Sequence, residues 1–225
     1  MNTLHTFGCS LTATEVSPWT KDLADDINFD LNNCAVPAGD NITQCRRFQD
    51  LVLHNKINKA DYILWEVTYL NRLGFRLAQD HQFYLDNKDN KDVNHNFHPH
   101  LKNLIDNQHH YDYVAFNEKW YNTNWQMQNI NEMLSNLLYN FTVAKNLVGD
   151  NILIWFADHV FENKDQATNF IEFLNENNIN HLDYETESLM KWVTKNNYTL
   201  GADQMHPSKE TYELFYQKYI LPKIK

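Results

Sequence analysis

The sequence predicts one α/β domain of three layers, α/β/α, with a parallel sheet covered by helices on both faces. Three observations predict it. Short apolar runs recur along the chain, amphipathic stretches long enough for helices separate them, and Gly and Pro, at five each, are too scarce to mark a linker or a repeat. With 225 residues the chain can bury one sizeable core without disulfide or metal staples.

The strand candidates are Leu4 to Phe7, Asn33 to Val36, Tyr62 to Val67, Ile152 to Ala157 and, with a weaker pattern, Ile179 to Tyr184. Helical patterns fall between them. Ser17-Pro18 reads as a capping Ser followed by Pro at the first helical position, opening a helix through Trp19, Leu23 and Ile27 that ends before Asn32. A second helix starts near Asn41, with Ile42, Cys45, Phe48 and Val52 on one side. The longest spans about 117–147, where Trp120, Ile130, Leu134, Leu137, Phe141 and Ala144 keep a three-and-four spacing, and two more cover 165–177 and 207–220. Residues 1–225 thus form a single domain, with an inserted loop region expected around 74–115.

Composition narrows the function classes. A hydrophobic fraction of 43% with 14% aromatic residues belongs to a packed globule rather than a disordered chain. The formal net charge of −10 argues against nucleic acid as a partner, since phosphate binding needs clustered Lys and Arg and only Arg46-Arg47 is dense. Cys9, Cys34 and Cys45 are odd in number and lack a paired spacing, so neither a disulfide framework, a zinc site nor a cofactor is implied. No membrane-span-length apolar stretch is present, and the chain opens into Leu4-His5-Thr6-Phe7 without a signal-like run. The expectation is a soluble chain without a signal peptide, cytoplasmic or a component of a viral particle.

In an open parallel sheet, ligands bind beyond the carboxyl ends of the strands, so the residues after each strand are the ones to inspect. After the first comes Phe7-Gly8-Cys9-Ser10-Leu11-Thr12, which sets a Ser behind a Gly at a strand-to-loop turn. A Ser hydroxyl becomes a nucleophile only when a base takes its proton. Asp203-Gln204-Met205-His206-Pro207 supplies that base near the other end of the chain, with a carboxylate three residues away to orient the imidazole. Each fragment alone also has an ordinary reading, as a hydrogen-bonding turn or a capped one. After the second strand, Pro37-Ala38-Gly39-Asp40-Asn41 offers a Gly whose N–H is unobstructed and an Asn that is either an amide donor or a helix cap. Donors fixed toward an acyl oxygen are worth about 2.7 to 4 kcal/mol each, so an oxyanion hole is expected there.

These segments, in this order, resemble the blocks of the SGNH hydrolases, the GDSL-type lipases and esterases, over nearly the whole chain. Asp203 to Pro207 matches the last block, Asp-x-x-His-Pro, in full. Gly8-Cys9-Ser10 matches the first except that Cys9 stands where the family has Asp, and Gly39-Asp40-Asn41 matches the second. The resemblance implies a flavodoxin-like five-stranded sheet, a catalytic Ser10-Asp203-His206 set, and an oxyanion hole from Ser10, Gly39 and Asn41. The third block, Gly-x-Asn-Asp, has no clean match in Trp65-Glu66-Val67-Thr68-Tyr69-Leu70-Asn71-Arg72. Thr68, Asn71 and Arg72 are therefore candidate pocket residues, and Asn41 is a candidate replacement for the missing amide.

The implied partner is an acyl ester, with a small acyl group on a glycan as first choice. An O-acyltransferase and a catalytically weakened binding or structural module of a viral or cell-surface assembly are the alternatives. Other features weigh less. His95, His98, His100, His109 and His110 read as polar residues of the inserted loop rather than a metal site. His5 and His159 are rival bases, Cys9 is a rival nucleophile, and Phe75, Trp120, Tyr121 and Trp125 read as core ahead of a sugar platform.

Overall fold

The structure is a computed structural model, describing residues 2–14, 17–35, 40–70, 126–161, 163–202 and 206–224. The inserted region expected around 74–115, with its histidines and Phe75, lies outside the described residues, as do Trp120, Tyr121 and Trp125.

Four strands, β1 (Thr3–Phe7), β2 (Asp30–Asn33), β3 (Tyr62–Val67) and β4 (Ile152–Phe156), form a parallel sheet in the order β2-β1-β3-β4. The predicted fifth strand takes the next place beside β4 but narrows to one bridge between Ile154 and His181. Ile154 N–H donates to Asn180 O and Leu182 N–H to Ile154 O, both at 2.9 Å. Pairing stops there because Asp183 Oδ1 accepts from the N–H groups of Glu185 and Thr186, turning the chain away. The layout is the flavodoxin-like order.

β2 begins and ends three residues earlier than its apolar run suggests. As an edge strand it stays partly exposed, so the polar Asp30-Leu31-Asn32-Asn33 pairs with β1 while Cys34 and Ala35 are buried in the exit from the strand. Cys34 N–H still donates to Thr6 O at 2.8 Å, the last rung of that ladder.

Alternation along the strands sends large rings to opposite faces. On one face Trp65 stacks on Phe7 at 4.6 Å and meets Phe48 and Phe141 at 5.3 and 5.0 Å, under α2 (Asn41–Leu53) and α3 (Gln126–Val148). Phe170 of α4 (Lys164–Glu176) extends this cluster to Phe156. On the other face Trp155 meets Trp19 of α1 (Trp19–Asp26) at 5.7 Å, and Phe215 at 5.9 Å. Here α5 (Leu189–Lys195) adds Trp192, and α6 (Lys209–Phe215) continues through a π turn at Tyr216–Ile220 into α7 (Leu221–Ile224). Such aromatic pairs contribute about 0.5–1.5 kcal/mol each beyond the area they bury. The sheet is thereby covered twice. Among the described residues no helix is long and apolar enough to cross a membrane.

This order places a topological switch between β1 and β3, because the chain leaves β1 for β2 on one side and returns as β3 on the other. A crevice forms at the carboxyl ends of such a pair.

Candidate active site

The turn after β1 closes when Thr12 and Ala13 N–H both donate to Cys9 O, at 3.0 and 2.9 Å. Its three following carbonyls are taken by side chains of neighbouring elements. Ser17 Oγ donates to Ser10 O at 2.8 Å, Trp19 Nε1 to Leu11 O at 2.8 Å, and Thr20 Oγ1 to Thr12 O at 3.4 Å. Asn33 Nδ2, at the end of β2, also donates to Thr12 O, at 3.3 Å. Ser17 is therefore not the helix cap its sequence context suggests: α1 has Pro18 at its cap position with no side-chain cap bond, and the Ser17 hydroxyl is spent on the Ser10 carbonyl. Among the described residues no acceptor takes the Ser10 N–H. These bonds hold the turn by its carbonyls, and the Ser10 hydroxyl meets Cys9 Sγ at 4.0 Å and the imidazole of His206.

His206 reaches that hydroxyl. Its Nε2 lies 2.8 Å from Ser10 Oγ, a contact between residues 196 positions apart in sequence. The imidazole's place follows from the backbone on either side: Leu200 and Pro207 form an antiparallel bridge, and Gly201 N–H donates to His206 O at 2.7 Å. Ser208 then caps α6 by accepting from Thr211 N–H. The helix expected from Pro207 accordingly starts at Lys209, since Pro207 belongs to the bridge and Ser208 to the cap. Asp203 lies outside the described residues, as does Gly39.

The junction of β2 and β3 is built by α2. Asp40 caps this helix, its Oδ1 accepting from Ile42 and Thr43 N–H at 2.8 and 3.0 Å. That removes the helix-cap alternative for Asn41. Asn41 is fully buried and clamps Thr68 instead: Nδ2 donates to Thr68 O at 2.9 Å, and Thr68 N–H donates to Asn41 Oδ1 at 3.0 Å. One amide hydrogen of Asn41 is therefore committed to joining two loops. Thr68 is itself fully buried, while Asn71 and Arg72 fall outside the described residues.

The rival bases sit elsewhere. His5 is 2% exposed and bonded to Asp61 Oδ2 and Asn32 Nδ2, at 3.3 and 2.9 Å. Burial holds its pKa below the usual value against the pull of Asp61. His159 is exposed after β4, and the adjacent Asp158 accepts from Tyr69 Oη at 3.4 Å. Cys9 Sγ is buried, 4.0 Å from Ser10 Oγ, and donates to Glu66 Oε1 at 2.9 Å.

Glu66 was the residue that pattern reading passed over. It lies in β3, is fully buried, and its Oε2 accepts from Cys9 N–H at 2.9 Å and from Thr12 Oγ1 at 2.5 Å. The available signal was one carboxylate inside the otherwise uncharged Tyr-Ile-Leu-Trp-Glu-Val.

No protein-family model and no curated protein sequence matches the chain. Solved structures do. A member of the lipolytic protein G-D-S-L family from Veillonella parvula superposes with a TM-score of 0.55 at 12% identity, over 97% of this chain and 96% of that one. The psychrotrophic esterase EstA from a Pseudoalteromonas species gives 0.53 at 12%, over 96% and 93%. A catalytic mutant of an acetylxylan esterase from Geobacillus stearothermophilus gives 0.53 at 14%, over 99% and 94%. At such identities the likeness is one of architecture, and it spans nearly the full length of every chain compared. The chain therefore has the three-layer fold of the G-D-S-L lipolytic proteins and esterases.

Proposed function

We propose that the chain is a serine hydrolase of carboxylic esters that works through a Ser10 acyl-enzyme. The observation that carries this reading is the 2.8 Å approach of His206 Nε2 to Ser10 Oγ at the carboxyl edge of the sheet. With Nε2 unprotonated, His206 accepts the Ser10 proton as Oγ attacks the acyl carbon. Collapse of the tetrahedral intermediate breaks the bond to the alcohol oxygen, which leaves with the proton from His206. Water, deprotonated by the same imidazole, then releases the acid. Asp203 is the proposed orienter of His206, and the N–H groups of Ser10 and Gly39 are the proposed oxyanion donors, with Asn41 as a third only through the amide hydrogen that Thr68 does not take.

A small acyl group, such as an O-acetyl on a glycan, is the proposed substrate class, and acetylxylan is a rational first glycan because a protein of the same fold is an acetylxylan esterase. The test is a panel of p-nitrophenyl acyl esters and acetylated glycans assayed with wild type and Ser10→Ala. Turnover that Ser10→Ala abolishes supports the reading, and turnover surviving in Ser10→Ala contradicts it. A second reading, a binding module with weakened catalysis, is favoured by the use of Asn41 to hold Thr68. Folded wild type that turns over nothing in the panel selects it.

A further inference from the structure

We infer that Glu66 is the positioning residue of the nucleophile turn, and that Cys9, by donating its S–H to Glu66, completes the support that sets Ser10 against His206. The inference rests on the hydrolase reading for its kinetic consequence and on geometry alone for the clamp.

Pairing of Phe7 with Trp65 makes Gly8 and Glu66 the next facing positions of β1 and β3. The carboxylate fills the space where a residue at 8 would carry its side chain: a Cβ there would overlap Glu66 Oε2 and Thr12 Oγ1. Gly8 is thus required by the carboxylate beside it. From that position each oxygen of Glu66 has work at the turn. Oε2 takes Cys9 N–H and the Thr12 hydroxyl, at opposite ends of the Cys9–Thr12 turn, and Oε1 takes the Cys9 thiol. Fully buried carboxylates are costly unless hydrogen-bonded, so these donors are needed by Glu66 as much as it is needed by them. These bonds hold the Cys9 amide and the Thr12 side chain, one on each side of Ser10, from the sheet, while Ser17 fixes the Ser10 carbonyl and Trp19 and Thr20 of α1 fix those of Leu11 and Thr12. A residue at 9 that can only accept would face the Glu66 carboxylate without a proton between them, which accounts for a thiol donor at this place.

The clamp predicts a charge-swap rescue. In Glu66→Gln the amide NH2 can only donate to Cys9 Sγ, reversing that bond, and a neutral carbonyl oxygen holds the Cys9 N–H and the Thr12 hydroxyl more weakly than a carboxylate does, so the turn loosens. A displacement of about 1 Å at a nucleophile costs on the order of a hundredfold in rate. Labelling of Ser10 by a fluorophosphonate and turnover of p-nitrophenyl acetate should both fall about a hundredfold, with the loss in kcat and KM nearly unchanged. Cys9→Asp alone should lose as much, by placing two carboxylates face to face. The double variant Cys9→Asp with Glu66→Gln lets the Gln amide donate to the new carboxylate while its carbonyl oxygen takes the two remaining donors, and it should recover most of the rate. Additive losses in the double variant at matched melting temperatures would overturn the positioning role.

A second measurement is independent of activity and of whether any variant but one folds. The infrared S–H stretch that disappears in Cys9→Ala should lie below those of Cys34 and Cys45 in the wild type, because a bond to a carboxylate weakens S–H. A Cys9 band at the free-thiol position overturns the clamp. A lowered band in a protein that no fluorophosphonate labels leaves the clamp standing and removes the hydrolase reading instead.

Discussion

Two histidines of this protein each contact a polar partner, and their surroundings assign them opposite tasks. His5 lies within β1, 2% exposed, and its two nitrogens are both engaged, by Asp61 before β3 and by Asn32 of β2. Asp61 in turn accepts from Thr3 and Asn58 N–H, at 2.8 and 2.7 Å. His206 stands at the carboxyl edge, partly exposed, with Nε2 on a serine hydroxyl. An imidazole paired with a carboxylate is thus insufficient for catalysis. What separates the two is a neighbouring serine hydroxyl and partial exposure, both found at the carboxyl edge of the sheet, where ligands of such folds bind.

The largest effect expected from this contrast is on activity. His206→Gln should lower kcat by about 10⁶-fold, the scale set by removing the base of a serine hydrolase triad, while its melting temperature stays close to wild type. His5→Gln should do the reverse, with a lower melting temperature and a labelling rate per folded molecule that is unchanged. Steady-state kinetics and thermal denaturation on the same two variants decide between them, and equal kinetic losses would mean that the two histidines do not differ in role.

Next in size is Gly8→Ala. The added methyl must displace Glu66 or Thr12, and overpacking of this kind costs about 1–3 kcal/mol, readable by denaturant unfolding.

Stability should also depend on pH through His5. Burial lowers its folded pKa below the 6.5 of the unfolded chain, so the unfolded state binds a proton first as pH falls. The stabilisation is complete above pH 6.5 and declines as pH drops below it. Asp61 adds a loss in the same direction at lower pH. Burial alone would raise its pKa, but hydrogen bonds from Asn58, Thr3 and His5 outweigh burial and hold it below 3.8. The midpoint of urea unfolding should therefore fall between pH 7 and pH 5 more steeply in wild type than in His5→Gln. A smaller effect is expected at the cap of α2, where Asp40→Ala should cost about 1 kcal/mol in the same unfolding experiment.

What could be read from residues alone follows from how far each signal reaches along the chain. Ser10 and His206 could be proposed as partners because serine chemistry would demand such residue types at strand ends, and the structure brings the two side chains to 2.8 Å. The layering was legible from runs such as Tyr62 to Val67 and from the period of the helices. Ser17 misled because a hydroxyl before a Pro looks the same whether it caps a helix or holds the carbonyl of Ser10. The β2 boundary misled because an edge strand needs little apolar character. Helix α5 escaped notice at seven residues, although Leu189, Trp192 and Val193 carry the right spacing. Glu66 required the register of β1 on β3, which no local pattern contains, before Gly8 and the carboxylate could be seen as facing each other.

Phosphonylation probes the proposed activation of Ser10 by His206. Intact-mass spectrometry after treatment with a fluorophosphonate should show one adduct per chain, which peptide mapping places on Ser10 and which is absent in Ser10→Ala and strongly slowed in His206→Gln. An adduct mapped to another residue, or one formed on Ser10 at the same rate without the imidazole, would contradict the account.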